Sequence, residues 1–164
     1  MKNVAILYST YSPTIDAIKY QLEDIAQIEV LSSVDKIYSE NFDLVILSNY
    51  NGECNINAIN IHHSLLPAFN TRNPVKDAIM EGVKITGLTV FYTNPYKIIT
   101  QYPVFIYNDA HYDELKQELI YLEQTIYPIV IEKILKNEPF EIRALMSQKD
   151  RCAGDCKECT KCRN

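Results

Sequence analysis

The stretch NIHHSLLPAF, Asn60 to Phe69, decides how the rest of the chain is read. It ends an apolar alternation, NAINIHHS, with an amide and two imidazoles, then follows them with a turn closed by proline. Asn60 and His62 are two residues apart, so on an extended strand both project from the same side. His63 points to the opposite face of a continuing strand, but a turn beginning there rotates it back. An amide donates a hydrogen bond without titrating, and an imidazole both donates and moves a proton near neutral pH. Strand ends in open α/β sheets are where ligands sit. Two readings stand open on these residues alone, a surface loop and a catalytic edge, and the rest of the chain must decide between them.

Outward from this stretch the chain alternates strand and helix patterns. NVAILYS (Asn3–Ser9) is a short β-rich apolar run. Ser12 and Pro13 open a helix as cap and first residue, with Ile15, Ile18, Leu22 and Ile25 on one face. QIEVLSS is a weak second strand, FDLVILSNY (Phe42–Tyr50) a buried one, and NGECNI a turn. NPVKDAIMEG reads as a short helix with Asn73 as cap, Pro74 in its first turn and Gly82 just past its end. VKITGLTVFYT and YPVFIY are further strands. A long amphipathic helix spans Asp109 to Asn137, with Pro128 predicting a kink or break inside it. The order predicts an α/β fold with a mostly parallel twisted sheet flanked by helices, a Rossmann-like core. That core is expected over residues 1–140, and residues 141–164 form a cysteine-rich tail.

Composition narrows the function classes. The chain has 164 residues, enough for one domain, and a net charge of −5, which argues against a nucleic-acid surface. No stretch approaches the roughly 20 apolar residues of a membrane helix. MKNVAILYS is too short an apolar run for a secretory signal, so a cytoplasmic protein without a membrane partner is expected. Four glycines leave no Gly-rich phosphate loop. Cys152, Cys156, Cys159 and Cys162 form C-x3-C-x2-C-x2-C, a metal-binding pattern in a reducing compartment. Structural zinc takes four cysteines, usually as two separated pairs, whereas tight C-x2-C-x2-C spacing suits an iron–sulfur cluster. Zinc and iron–sulfur both stand open. The C-x3-C-x2-C of radical-SAM enzymes is set aside, because the chain is too short for their barrel and the motif lies at the wrong end. Cys54 reads as an isolated thiol in a turn.

The stretch resembles the signature of the folate-dependent formyltransferases, a strand ending Asn-Ile-His followed by Pro-Ser-Leu-Leu-Pro. Asn60, His62, Ser64, Leu65, Leu66 and Pro67 match it, and His63 replaces the proline. The likeness continues at Gly82, Val83, Thr86, Gly87, Thr89 and Val90 and resumes in LEQTIYPIVIEKIL, similar to the Glu-His-x-x-Tyr-Pro helix of glycinamide ribonucleotide transformylases. The resemblance implies formyl transfer from 10-formyltetrahydrofolate to a small-molecule amine, a reaction whose tetrahedral oxyanion needs donors already in place. It assigns catalysis to Asn60 and His62, with Leu65, Leu66 and Pro67 expected to fix the turn and wall the pocket, and it places Glu123 where transformylases contact ribose hydroxyls. Ser12 and Thr14 stand in the segment that binds substrate phosphate in those enzymes.

Three departures temper the likeness. TVFYTNPYKIITQYPV joins two strands without the loop aspartate of the family, and His63 is the candidate substitute base. Its place in the catalytic set depends on the turn bringing it into the pocket. YSTYSPT lacks the phosphate-loop glycines, and about nine residues separate Asn49 from Ile59, too few for the usual crossover helix. Alternative readings are a catalytically degenerate member that binds a ligand or carries a metal, and a redox or metal-sensing module on a formyltransferase scaffold. Acceptor identity and oligomeric state carry no motif.

Overall fold

The computed structural model describes residues 1–52, 55–107 and 110–139. Cys54, Asp109 and the four tail cysteines lie outside the described residues. The order is β1 (Lys2–Leu7), α1 (Pro13–Leu22), β2 (Ala26–Leu31), α2 (Asp35–Ser39), β3 (Leu44–Leu47), β4 (Ile59–His62), α3 (Pro74–Met80), β5 (Ile85–Thr93), β6 (Tyr96–Phe105) and α4 (Tyr112–Leu135). The six strands form one sheet in the order β2-β1-β3-β4-β5-β6. Pairs β1–β2, β1–β3 and β3–β4 are parallel; β4–β5 and β5–β6 are antiparallel.

Alternation along β1 sorts the core into two layers. Val4 and Ile6 pack against Ile15, Ile18 and Leu22 of α1 and Leu119, Ile126 and Val130 of α4. Ala5 and Leu7 face the other way, onto Val45, Leu47 and Ala58, with Ile37 and Phe42 at the margin. The expected apolar face of α1 is met, with Ile25 partly buried beyond its end.

Pro128 neither breaks nor ends α4, which runs unbroken for 24 residues. The lost hydrogen bond and ring clash cost about 3 kcal/mol. Burial of Leu115, Leu119, Leu122, Ile126, Val130 and Ile131, each contributing about 1.5–3 kcal/mol, offsets that several times over. The YPVFIY strand is also longer than expected. β6 begins at Tyr96, so β5 and β6 form a hairpin whose turn is only Asn94 and Pro95. Gly87 is required in this hairpin, because a Cβ there would stand 2.0 Å from the Tyr102 carbonyl oxygen. Gly82, at φ +66°, ends α3 in the left-handed conformation expected past a helix.

β3 and β4 share a single register pair, Ile46 with Ile59, and no helix is present among the described residues of the 48–58 connection. Fully buried Tyr127 of α4 reaches into the divergence beyond that pair. Its hydroxyl donates to the carbonyls of Leu47 (3.0 Å) and Ile59 (2.8 Å). Burial first, and then the negative charge of Glu123, push this phenol well above its ordinary value.

Removing the hydroxyl in Tyr127→Phe leaves two buried carbonyls without their donor. Urea denaturation is expected to show a loss of about 1–3 kcal/mol. As pH rises past about 10 the unfolded chain ionises its tyrosines while Tyr127 in the folded chain does not. This contribution to stability is therefore whole below that pH and is lost above it. The alkaline fall in stability is expected to be shallower in Tyr127→Phe than in the wild type.

Candidate active site at the end of strand β4

Strand order reverses direction between β1 and β3, and the crevice outside their carboxyl ends is where an open α/β sheet takes ligands. Two loops meet there. The amides of Ser9 and Thr10 donate to the Asn49 carbonyl (3.2 and 3.4 Å), and Asn49 Nδ2 returns a bond to the Thr10 carbonyl (3.3 Å). The Asn51 amide donates to Ser9 Oγ at 3.0 Å. Asn49 holds φ +50°, a conformation that asparagine tolerates better than most residues. The expected cap at Ser12 is extended but makes no side-chain bond to the helix; its Oγ lies 3.3 Å from Ser48 Oγ.

The turn after β4 is held from β5 and β6. Buried Thr89, the register partner of His62, donates through Oγ1 to the Ser64 carbonyl (2.7 Å) and accepts the Leu66 amide (3.0 Å). Gln101 Nε2 donates to the Leu66 carbonyl (2.8 Å) and to Thr89 Oγ1 (3.0 Å). Ser64 Oγ closes the loop onto the Ala68 carbonyl at 2.6 Å. These bonds present Asn60, His62 and His63 to one cavity of about 530 Å³, which Ser12, Thr14 and Glu123 also line. Its volume is within the 300–1,000 Å³ range of small-molecule sites.

The polar groups in the cavity differ in how far they are committed. Asn60 Oδ1 accepts the Ile61 amide (2.8 Å), and its Nδ2 has no partner among the described residues. His62 Nε2–H donates to the Phe69 carbonyl at 2.9 Å, leaving Nδ1 as the other ring nitrogen. His63 Nε2–H donates to Glu123 Oε2 at 2.5 Å, and Thr14 Oγ1–H donates to Glu123 Oε1 at 2.9 Å. The turn therefore does bring His63 into the pocket.

Leu65, Leu66 and Pro67 are not among the residues lining this cavity. Leu66 is buried inside the turn, and Leu65 packs within 2.8 Å of where a Gly87 Cβ would stand, so these residues shape the turn from behind. Sequence reasoning passed over Arg72, Tyr112 and Lys116, which do line it. The last two belong to a stripe on α4, Tyr112, Lys116, Ile120 and Glu123, at helical spacing of four, four and three. Placing Glu123 in the pocket implies the rest of that stripe. Arg72 lies in an irregular turn and leaves no periodic signal.

The formyl transferase family model matches residues 9–131, and the chain belongs to that family. Phosphoribosylglycinamide formyltransferase of Bacillus subtilis is 38% identical over 96 residues, 55% of this chain and 46% of that protein. Mitochondrial formyltetrahydrofolate deformylase 2 of Arabidopsis thaliana is 37% identical over 82 residues, 50% of this chain and 24% of that protein. The chain thus spans less than half the length of these curated relatives. The crystal structure of phosphoribosylglycinamide formyltransferase from Bacillus halodurans superposes with a TM-score of 0.69 at 23% identity, over 82% of this chain and 95% of that one.

Thr89→Val keeps the shape of β5 but strands the Leu66 amide and the Ser64 carbonyl. The expected loss is about 1–3 kcal/mol in urea denaturation. Backbone amide NMR shifts are expected to move at residues 62–69 and to stay in place along β1 and β2.

Proposed function

We propose that this chain transfers a formyl group from 10-formyltetrahydrofolate to a small-molecule amine of the glycinamide ribonucleotide type, a cytoplasmic reaction of purine biosynthesis. The observation that carries the reading is the pairing of Asn60 and His62 on one side of β4, both lining the cavity at the switch point of the sheet. Asn60 Nδ2 is an unspent donor for a formyl oxygen under attack, and His62, tied through Nε2 to the Phe69 carbonyl, donates from Nδ1 only as the imidazolium. Asn60 and His62 would stabilise the oxyanion as the amine adds to the formyl carbon. Ser12 would meet the acceptor at the mouth of α1, whereas Thr14, expected to share that role, is buried with its hydroxyl donated to Glu123.

One relative is a deformylase by name, and for such a reaction water replaces the amine. Incubating the full chain with 10-formyltetrahydrofolate, with and without glycinamide ribonucleotide and a panel of amines, separates the two. Formylated amine is the expected product; formate alone would favour hydrolysis. Asn60→Ala is expected to lower kcat by about 10²–10³-fold, and His62→Ala by about 10²–10⁴-fold.

A second reading has one observation in its favour. The β5–β6 turn, Asn94 and Pro95, holds no acid where the resemblance expects an aspartate. A degenerate member that only binds ligand is therefore the alternative. Calorimetry showing folate binding without turnover would select it.

The tail spacing C-x3-C-x2-C-x2-C supports metal binding by Cys152, Cys156, Cys159 and Cys162, as zinc or an iron–sulfur cluster. Protein purified anaerobically is expected to carry stoichiometric metal that Cys156→Ser with Cys159→Ser removes. Elemental analysis and the visible spectrum tell the two apart.

A further inference from the structure

We propose that His63, held by Glu123, takes the proton from the attacking amine, with Glu123 as its positioning residue. This rests on the formyl-transfer reading above. Glu123 is 9% exposed and makes no ion pair with lysine or arginine among the described residues. A carboxylate so placed is costly unless hydrogen-bond donors satisfy it. Two do, from separate elements: the Thr14 hydroxyl on Oε1 and the His63 ring on Oε2. Thr14 is itself only 2% exposed, so the carboxylate is fixed on both sides.

The consequence for His63 is a defined tautomer. With the proton on Nε2 spent on Glu123, Nδ1 is the nitrogen left to accept another. His62 is also tied through Nε2, but to a neutral backbone carbonyl. When either ring gains a proton, only His63 has a carboxylate on its far nitrogen to stabilise the imidazolium, the arrangement that makes a carboxylate-held histidine a base. The two neighbours thus divide the work. Asn60 and His62 serve the oxyanion, and His63 serves the amine. The two-residue turn between β5 and β6 supplies no acid, and α4 supplies one instead. The other titratable or charged groups lining the cavity are Tyr50, His62, Arg72, Tyr112 and Lys116.

The step balances without any oxidant or reductant. The amine lone pair forms the new C–N bond as the carbonyl electron pair moves onto oxygen. His63 Nδ1 takes a proton from the resulting ammonium. Collapse restores the carbonyl and breaks the bond to the donor nitrogen, which leaves carrying that proton. One formyl group moves to the acceptor and one proton moves to the donor.

The test uses the full chain, with 10-formyltetrahydrofolate and glycinamide ribonucleotide as probes. Glu123→Gln is expected to lower kcat by at least ~10-fold with the acceptor KM within about twofold, and His63→Ala by ~10²-fold, partly restored by added imidazole. Histidine ¹⁵N shifts of the wild type without substrate are expected to show His63 protonated on Nε2 and bare on Nδ1, a preference that fades in Glu123→Gln. The wild-type spectrum needs no variant to fold. A raised KM with kcat retained in Glu123→Gln would make Glu123 a substrate-binding residue and overturn the proposal. So would an Nδ1-protonated His63, or full turnover in both variants. No turnover in the wild type would instead overturn the transfer reading, and this proton step with it.

Discussion

One buried hydroxyl is shared between two strands that have almost stopped pairing, and the site depends on it. β3 and β4 meet at Ile46 and Ile59 and then part. Parallel strands that separate inside a core leave carbonyls facing no partner, which is unfavourable. Tyr127 shares its one donor between the Leu47 and Ile59 carbonyls where the strands diverge. The residues that follow, Asn49 to Asn51 after β3 and Asn60 to His63 in and after β4, line the cavity. The same helix contributes Glu123 one turn earlier, beneath His63. α4 is therefore both the wedge that permits the opening and the source of its buried carboxylate. Its apolar face is heavy enough to carry Pro128 without a break.

Charge is distributed unevenly with respect to that opening. The chain as a whole carries −5, yet the cavity is lined by Arg72 and Lys116 and by one carboxylate already engaged with an imidazole. An acidic body with a cationic pocket repels anions in general while admitting them at one place. Asn60 adds a donor that no change of pH removes. The side chains at the cavity thus include two cations and the unspent amide of Asn60 against one carboxylate already engaged.

Much of this was legible in the residues. Most strand and helix positions followed from periodicity, though the five-residue α2, with no buried residue to set a pattern, did not, and the shared placement of Asn60 and His62 at one cavity followed from their spacing. Pro13, Pro74 and Gly82 marked helix ends where the structure has them. What escaped was set by contacts between distant segments. Pro128 read as a kink or break because propensity is local, whereas the burial that keeps the helix unbroken through it is tertiary. Leu65, Leu66 and Pro67 read as pocket wall from their place in the signature, but the hydroxyl of Thr89 and the amide of Gln101 turn that segment so that Leu66 faces inward. The bond between His63 and Glu123 joins residues 60 positions apart, and neither residue type announces the other.

The two shortened segments, the 48–58 connection and the β5–β6 turn, are fastened to each other. Thr93 Oγ1 donates toward the carbonyls of Ile56 (2.7 Å) and Ala58 (3.1 Å) and accepts the Ala58 amide (3.0 Å). Asn94 Nδ2 donates to Asn55 Oδ1 at 2.9 Å. Surface loops usually lengthen and shorten independently in evolution. Here they form a matched pair: an insertion in one lifts the other from its hydrogen bonds, so restoring a longer acid-bearing loop to the hairpin entails rebuilding the crossover in the same step. The acid-free hairpin turn and the short crossover thus behave as one mechanical unit, held by Thr93 and Asn94.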